Sequence, residues 1–164
     1  MDPSSHHRAS LENFRWDNVA VHPYKEDQLD SEGAPIFKAI TRQTLFNDPA
    51  LACELRYFEM AAGGYSTLER HEHAHAVMIF RGHGQVLLGD SVRAIGPQDL
   101  ISIPAWTWHQ FRAEAAPLGF LCMVNQSRDK PQIPDAAALA ALQSNPDIAA
   151  FLRGAPLPAA ASTR

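Results

Sequence analysis

The chain has 164 residues, enough for one well-buried core and short for two, and its 46% hydrophobic and 20% charged composition is that of a globular protein. A formal net charge of -4 without a dense Lys/Arg run speaks against a nucleic-acid or anionic-membrane surface. No apolar run approaches the ~20 residues of a membrane span, and residues 1–10 lack the apolar stretch of a signal peptide, so a cytoplasmic location is expected.

Residues 1–34 have weak periodicity, with Trp16, Val19, Val21 and Tyr24 as the only plausible anchors. They read as an arm, disordered at its tip, that lies across the body of the protein or a partner subunit. His6 and His7 are expected to be solvated, and His22 has no partner in sequence. Residues 36–46 are rich in β-branched and aromatic side chains and close at the turn signal Asn47-Asp48-Pro49. Residues 53–60 alternate, with Cys53, Leu55 and Tyr57 on one side and Glu54 and Arg56 on the other. This predicts a half-buried strand, ended by Ala61-Ala62-Gly63-Gly64.

The next stretch holds Glu69, His71, His73 and His75 and runs into the apolar segment 77–80. Glu69, His71 and His73 share one parity, so an extended backbone would send their side chains to one face. Nitrogen and oxygen donors converging in this way suit a transition metal. Arg81-Gly82-His83-Gly84 predicts a hairpin turn with His83 at its tip, and residues 85–88 form the returning strand. Gly89-Asp90 turns again, Gly96-Pro97 interrupts, and Pro104 stops a strand over 100–103. Strands over 109–112 and 118–124 follow. Many short strands separated by Gly, Pro, Asn and Asp predict an all-β sandwich or barrel. Cys53 and Cys122, both in strand-like segments outside any CxxC pair, are expected to be free thiols.

The tail changes texture. Asp135 is a candidate N-cap for a helix over 136–143, and Asn145-Pro146 opens a second that carries Ile148, Phe151 and Leu152 and stops at Gly154. Residues 155–164, rich in Pro and Ala, are expected to be disordered.

The stretch from Gly63 to Gly82 resembles the first motif of the cupin family: Gly, five residues, His-x-His, three or four residues, Glu, six residues, Gly. All the spacings agree, but Glu69 stands where the first His belongs and His75 where the Glu belongs. A register using His71 and His73 as the His-x-His leaves the Glu seat to Val77 or Met78 and loses the terminal glycine. The second motif is half present: Pro104 and His109 are correctly spaced and Trp106 replaces a glycine. Its leading glycine would fall at Gln98 and its trailing Asn at Ala113.

The resemblance covers roughly residues 36–127 and implies an all-β jelly-roll barrel over 35–128; the arm over 1–34 and the helical tail over 129–164 lie outside it. It implies metal ligation by Glu69, His71, His75 and His109; His73 either lies behind the ligands or faces solvent, or exchanges with Glu69 as a ligand. The ion would be a divalent transition metal: Mn, Fe, Ni, Zn or Cu. Four protein ligands on an octahedral ion leave two open positions, which could chelate a diketone, hydroxyacid or enediolate, or hold substrate beside dioxygen. The expectation is a metal-dependent enzyme on a small metabolite, with dioxygenase placed ahead of isomerase or lyase; the alternative is a non-catalytic metal- or ligand-binding module or sensor. Tyr57, Trp106, Trp108, Phe111 and Phe120 are candidate pocket walls, and Phe111 shares the parity of His109. Arg56 and Arg112 are candidate carboxylate anchors. His73 and Tyr57 are candidate bases by proximity alone, so no catalytic residue is assigned. A homodimer bridged by the arm is expected.

Overall fold

The computed structural model describes residues 6–10, 13–25 and 36–154. The disorder expected at the first residues and over 155–164 lies outside these. Among the described residues are β1 (His22–Pro23), β2 (Lys38–Asp48), β3 (Cys53–Tyr65), β4 (His75–Arg81), β5 (Gly84–Leu88), β6 (Ser91–Ile95), β7 (Leu100–Ile103), β8 (His109–Ala113) and β9 (Leu118–Asn125), then helices α1 (Ala136–Gln143) and α2 (Pro146–Leu152). The strands form one curled antiparallel sheet in the order β6-β5-β8-β3-β9-β4-β7, with β2 on the other edge of β3 and β1 on β2. The fold is all-β, as expected. Among the described residues, no helix is long and apolar enough to cross a membrane.

Strand β3 is the spine, and here the sequence misled in one respect. Ala61-Ala62-Gly63-Gly64 does not end the strand, which runs on to Tyr65. Residues 53–60 pair with β9, whereas Tyr65 pairs with Arg112 of β8. The glycines make this change of partner. Gly63 has φ +66, open to glycine at little cost, and a Cβ on Gly64 would lie 2.8 Å from the Lys38 carbonyl oxygen. Glycines that looked like a stop therefore bend a continuing strand.

The Arg81–Gly84 turn is likewise no hairpin. β4 pairs with β7 and β9, and β5 pairs with β6 and β8, so the turn carries the chain across the barrel. Turn residues report that a chain reverses, not which strand it then joins. Gly89-Asp90 does close a hairpin, between β5 and β6.

The faces of β3 are also the reverse of what hydrophobicity suggests. Phe58 and Met60 pack into the barrel core with Val77, Phe111 and Phe120, and Arg56 shares their parity. Tyr57 lies on the opposite face, 6.3 Å from the ring of Trp16 and 6.0 Å from that of Phe80, and donates to Glu59 Oε2 at 2.6 Å. What covers this face is the arm. Gln43 of β2 donates from Nε2 to the Trp16 and Val19 carbonyls at 3.0 and 2.8 Å, and accepts from the Trp16 N–H at 2.9 Å. The strand is thus buried on both sides, and simple alternation could not say which side was interior. The described part of the arm lies on its own barrel.

The tail follows its sequence signals closely. Asp135 accepts from the Ala138 N–H and Asn145 from the Asp147 N–H, and Gly154 has φ +79. Ile148 and Phe151 pack on Leu68 and Leu87 in a second, smaller core.

The glycines give a graded test. At Gly82, φ is +74 and an added Cβ would meet the Pro117 carbonyl oxygen at 2.0 Å, whereas at Gly63 nothing lies within 4 Å. Gly63→Ala should cost about 1–2 kcal/mol, the left-handed backbone alone. Gly82→Ala should cost clearly more in the same urea melts, because backbone must also move.

Candidate metal centre

Beyond Tyr65 the backbone keeps running along β8. Ser66 N–H donates to the Phe111 carbonyl at 2.9 Å, and Glu69 and His109 exchange both backbone hydrogen bonds, at 3.2 and 3.0 Å. The chain then bends through residues 71–74 before β4 begins at His75. The Trp106 N–H donates to the His71 carbonyl at 2.7 Å and ties this bend to the loop ahead of His109. His71, His75 and His109 are brought together from a bend, the start of β4 and the start of β8. Their ligand atoms all lie within 4.8 Å of one another.

Each ring is held by Nδ1. His71 Nδ1 lies 2.7 Å from the His73 carbonyl oxygen and His109 Nδ1 lies 2.9 Å from that of Thr107, so each donates there and keeps the lone pair on Nε2. His75 Nδ1 sits 3.3 Å from Cys122 Sγ, and its Nε2 is buried without a hydrogen-bond partner. An unpartnered buried nitrogen is costly, and one beside two further free Nε2 positions fits a metal ion. Burial, with the other imidazoles adding to it, lowers the His75 pKa to about 2; burial also lowers His109 to about 4 and lowers His71. All three are neutral at physiological pH, the form that ligates.

Glu69 is buried and its carboxylate faces the same pocket, but it is ion-paired with Lys25 of the arm and stands apart from the three-nitrogen group. His73 lies behind His71: the two rings stack at 3.7 Å and 1°, and His73 Nδ1 reaches Asp129 Oδ1 at 2.6 Å. The pocket above these residues has a volume of about 210 Å³. Phe111 and Phe120 wall it, as the sequence suggested, stacked at 4.9 Å. The other three candidate walls are elsewhere. Tyr57 is under the arm, Trp106 is 47% exposed, and Trp108 lies under Arg70. Arg56 lines the pocket, but Arg112 packs on Tyr65 and Phe151 and donates to the Leu152 carbonyl.

Sequence reasoning missed Tyr24, Lys25, Arg42, Phe58, Arg128 and Asp129, all of which line the pocket. They come from the arm, from strands and from the segment after β9, and none sits in a spaced motif. Both cysteines are free; Cys122 is buried, and that burial raises its thiol pKa.

Comparison with known proteins agrees with this geometry. The family model described as a cupin domain matches residues 56–124. The 1-methylthio-D-xylulose 5-phosphate methylsulfurylase of Rhodospirillum rubrum is 54% identical over 142 residues, covering 86% of this chain and 88% of that one. The chain belongs to the cupin family. Two crystal structures resemble this cupin over most of its length. A cupin-2 domain protein of R. rubrum is 51% identical over 90% of this chain and 96% of its own, with a TM-score of 0.79. A cupin 2 conserved barrel domain protein of Rhodopseudomonas palustris is 53% identical over 90% and 98%, with a TM-score of 0.81.

Membership explains an oddity of the backbone. Gln98 and Trp106 stand in the two glycine seats of the second cupin motif, and both have positive φ, +77 and +61. The cupin backbone keeps the left-handed turns without the glycines, at some cost in strain.

Two outcomes follow for the metal-free and metal-loaded protein. His75→Ala and His109→Ala should each abolish uptake of a divalent ion measured by elemental analysis, while wild type retains about one ion per chain. In the metal-free protein, the unfolded chain takes up protons below the ordinary histidine pKa of about 6.5 while the folded one does not. Stability in urea melts should therefore fall as pH drops from about 6.5 toward 4, by up to about 1.4 kcal/mol per pH unit for each buried imidazole. A flat profile would mean that the rings are protonated in the fold.

Proposed function

We propose that this cupin is a metal-dependent enzyme acting on a 1-thio-substituted ketopentose 5-phosphate, at the bond between C1 and sulfur. Its main support is the buried trio of imidazoles under a pocket of metabolite size, in a chain 54% identical to a protein named for the substrate 1-methylthio-D-xylulose 5-phosphate. Of the reaction classes open from sequence, this favours chemistry without dioxygen, in which a thiol takes the sulfur group as a mixed disulfide while the sugar keeps the C1–sulfur electron pair and C1 takes up a proton; dioxygenase chemistry gains no specific support.

His71, His75 and His109 would hold the ion, and Glu69 would join them as a fourth ligand only by leaving its ion pair with Lys25. A divalent transition ion bound there supplies a Lewis acid for a carbonyl oxygen, which in a 2-ketose is the atom that takes up charge when the C1–sulfur bond breaks. The remaining work falls to side chains. Tyr24 and Lys25 face the pocket with protons to hold or give. Burial, then the Glu69 charge, raises the Tyr24 pKa well above that of a free phenol and keeps it protonated. Phe58, Phe120 and Phe111 form a continuous stack, at 5.2 and 4.9 Å between centroids, that excludes water and offers an apolar seat to a methylthio group. His73 and Asp129 hold the His71 ring in place.

The test is turnover of 1-methylthio-D-xylulose 5-phosphate by metal-reconstituted protein, with a small thiol supplied to accept the sulfur group, followed by mass spectrometry. Product should form and should disappear after chelation, returning on re-addition of metal. Ligand-induced melting shifts without turnover would instead make the chain a binding module. Oxygen consumption on a diketone panel, with no reaction on the thio-sugar, would restore the oxygenase.

A further inference from the structure

Three guanidinium groups share the pocket with the three imidazoles. Arg42 comes from β2, Arg56 from β3, and Arg128 from the segment after β9. The β2–β3 register pairs Arg42 with Phe58 and Thr44 with Arg56, which sets Arg42 and Arg56 diagonally on the inner face. Cys122 pairs with Arg56 across β9, and its Sγ lies 3.3 Å from both Arg56 Nη2 and His75 Nδ1. One thiol separates the arginine end of the pocket from the imidazoles.

The charges there do not cancel. Arg128 is paired with Glu54 at 2.8 Å and Lys25 with Glu69, while the Asp129 carboxylate lies at the imidazole end, 2.6 Å from His73 Nδ1. Arg42 and Arg56 have no carboxylate partner among the described residues, and the Nε of each is buried without a hydrogen-bond acceptor. A half-buried arginine without a carboxylate gains no ion pair to offset its desolvation. Instead, burial and the charges of Arg56 and Arg128 lower the pKa of Arg42. Lys25, Arg42, Arg56 and Arg128 against Glu54, Glu69 and Asp129 leave an excess of one positive charge, gathered at the arginine end where the negative charge of a phosphate monoester would offset it. The planar forks of arginine suit its oxygens in shape as well as charge.

We infer that Arg42, Arg56 and Arg128 form a phosphate subsite that anchors the far end of a phosphorylated sugar while its carbonyl end reaches the imidazoles. This deepens the proposed function, from which it takes the sugar, but the anion site stands on the arginines alone.

The experiment uses the full-length, metal-loaded protein and a probe that cannot react at sulfur. D-xylulose 5-phosphate should bind by calorimetry, inorganic phosphate should compete with it, and D-xylulose should bind far more weakly. Arg42→Met and Arg56→Met should each weaken the phosphorylated probe by roughly tenfold or more, with Arg42→Lys falling between. Metal content should not change. The same Met variants should melt no lower than wild type without ligand, because a mutually repelling cation has been removed. A purely structural arginine would show the opposite: a lower melting temperature and unchanged affinity.

If inorganic phosphate neither binds nor competes, or the Met variants bind the probe as wild type does, the subsite is wrong. Should a variant fail to fold, the wild-type competition between phosphate and D-xylulose 5-phosphate still decides. Probe binding that depends on the arginines, in a protein without turnover of the thio-sugar, leaves the subsite standing and removes the reaction. Turnover that is indifferent to the arginines does the reverse.

Discussion

The site depends on one stretch of backbone pairing. Strand β3 leaves β9, bends at Gly63 and Gly64, and follows β8 as far as the two hydrogen bonds between Glu69 and His109. That bridge fixes the start of the histidine-bearing bend against the start of β8, although forty residues separate them in sequence. The Trp106 N–H, bound to the His71 carbonyl, fastens the bend a second time. With both ends held, His71 and His109 are close whatever their side chains do, and His75 follows at the first residue of β4. Imidazoles placed by backbone lose little freedom on meeting an ion, which is the physical content of a preformed site.

Around that frame the pocket divides by chemistry. The imidazoles have their outer nitrogens occupied by carbonyls or by a thiol, so their free nitrogens face inward and neutral. The phenylalanine stack keeps one wall dry. The arginines gather positive charge within reach of the same cavity, at a cost in desolvation and mutual repulsion that the fold tolerates. Natural proteins carry such local conflicts mainly where a ligand resolves them.

The arm has two tasks. Trp16 seals the outer face of β2 and β3, fixed by the Gln43 side chain. Tyr24 and Lys25 reach the pocket, and Lys25 neutralises Glu69. A segment with little periodicity therefore contributes to both the core and the site. Nothing local marks it for either, because its burial is decided by a groove built from residues far along the chain.

Much of the fold was legible because local physics governs it. Turn residues and β-branched runs located strands near their observed positions, and β7 ends where Pro104 begins. Both helices start at their capping residues, since a cap is a contact between neighbours in sequence. Of the four residues singled out by spacing, His71, His75 and His109 are brought together by the fold, whereas Glu69 is ion-paired with Lys25 and stands apart from them. Tertiary structure alone decided which face of β3 is interior, that Arg81–Gly84 crosses the barrel, and that Arg42, Arg56 and Arg128 meet around one cavity. Periodicity tells which side chains share a face, but only the partner strands and the covering arm say what that face meets.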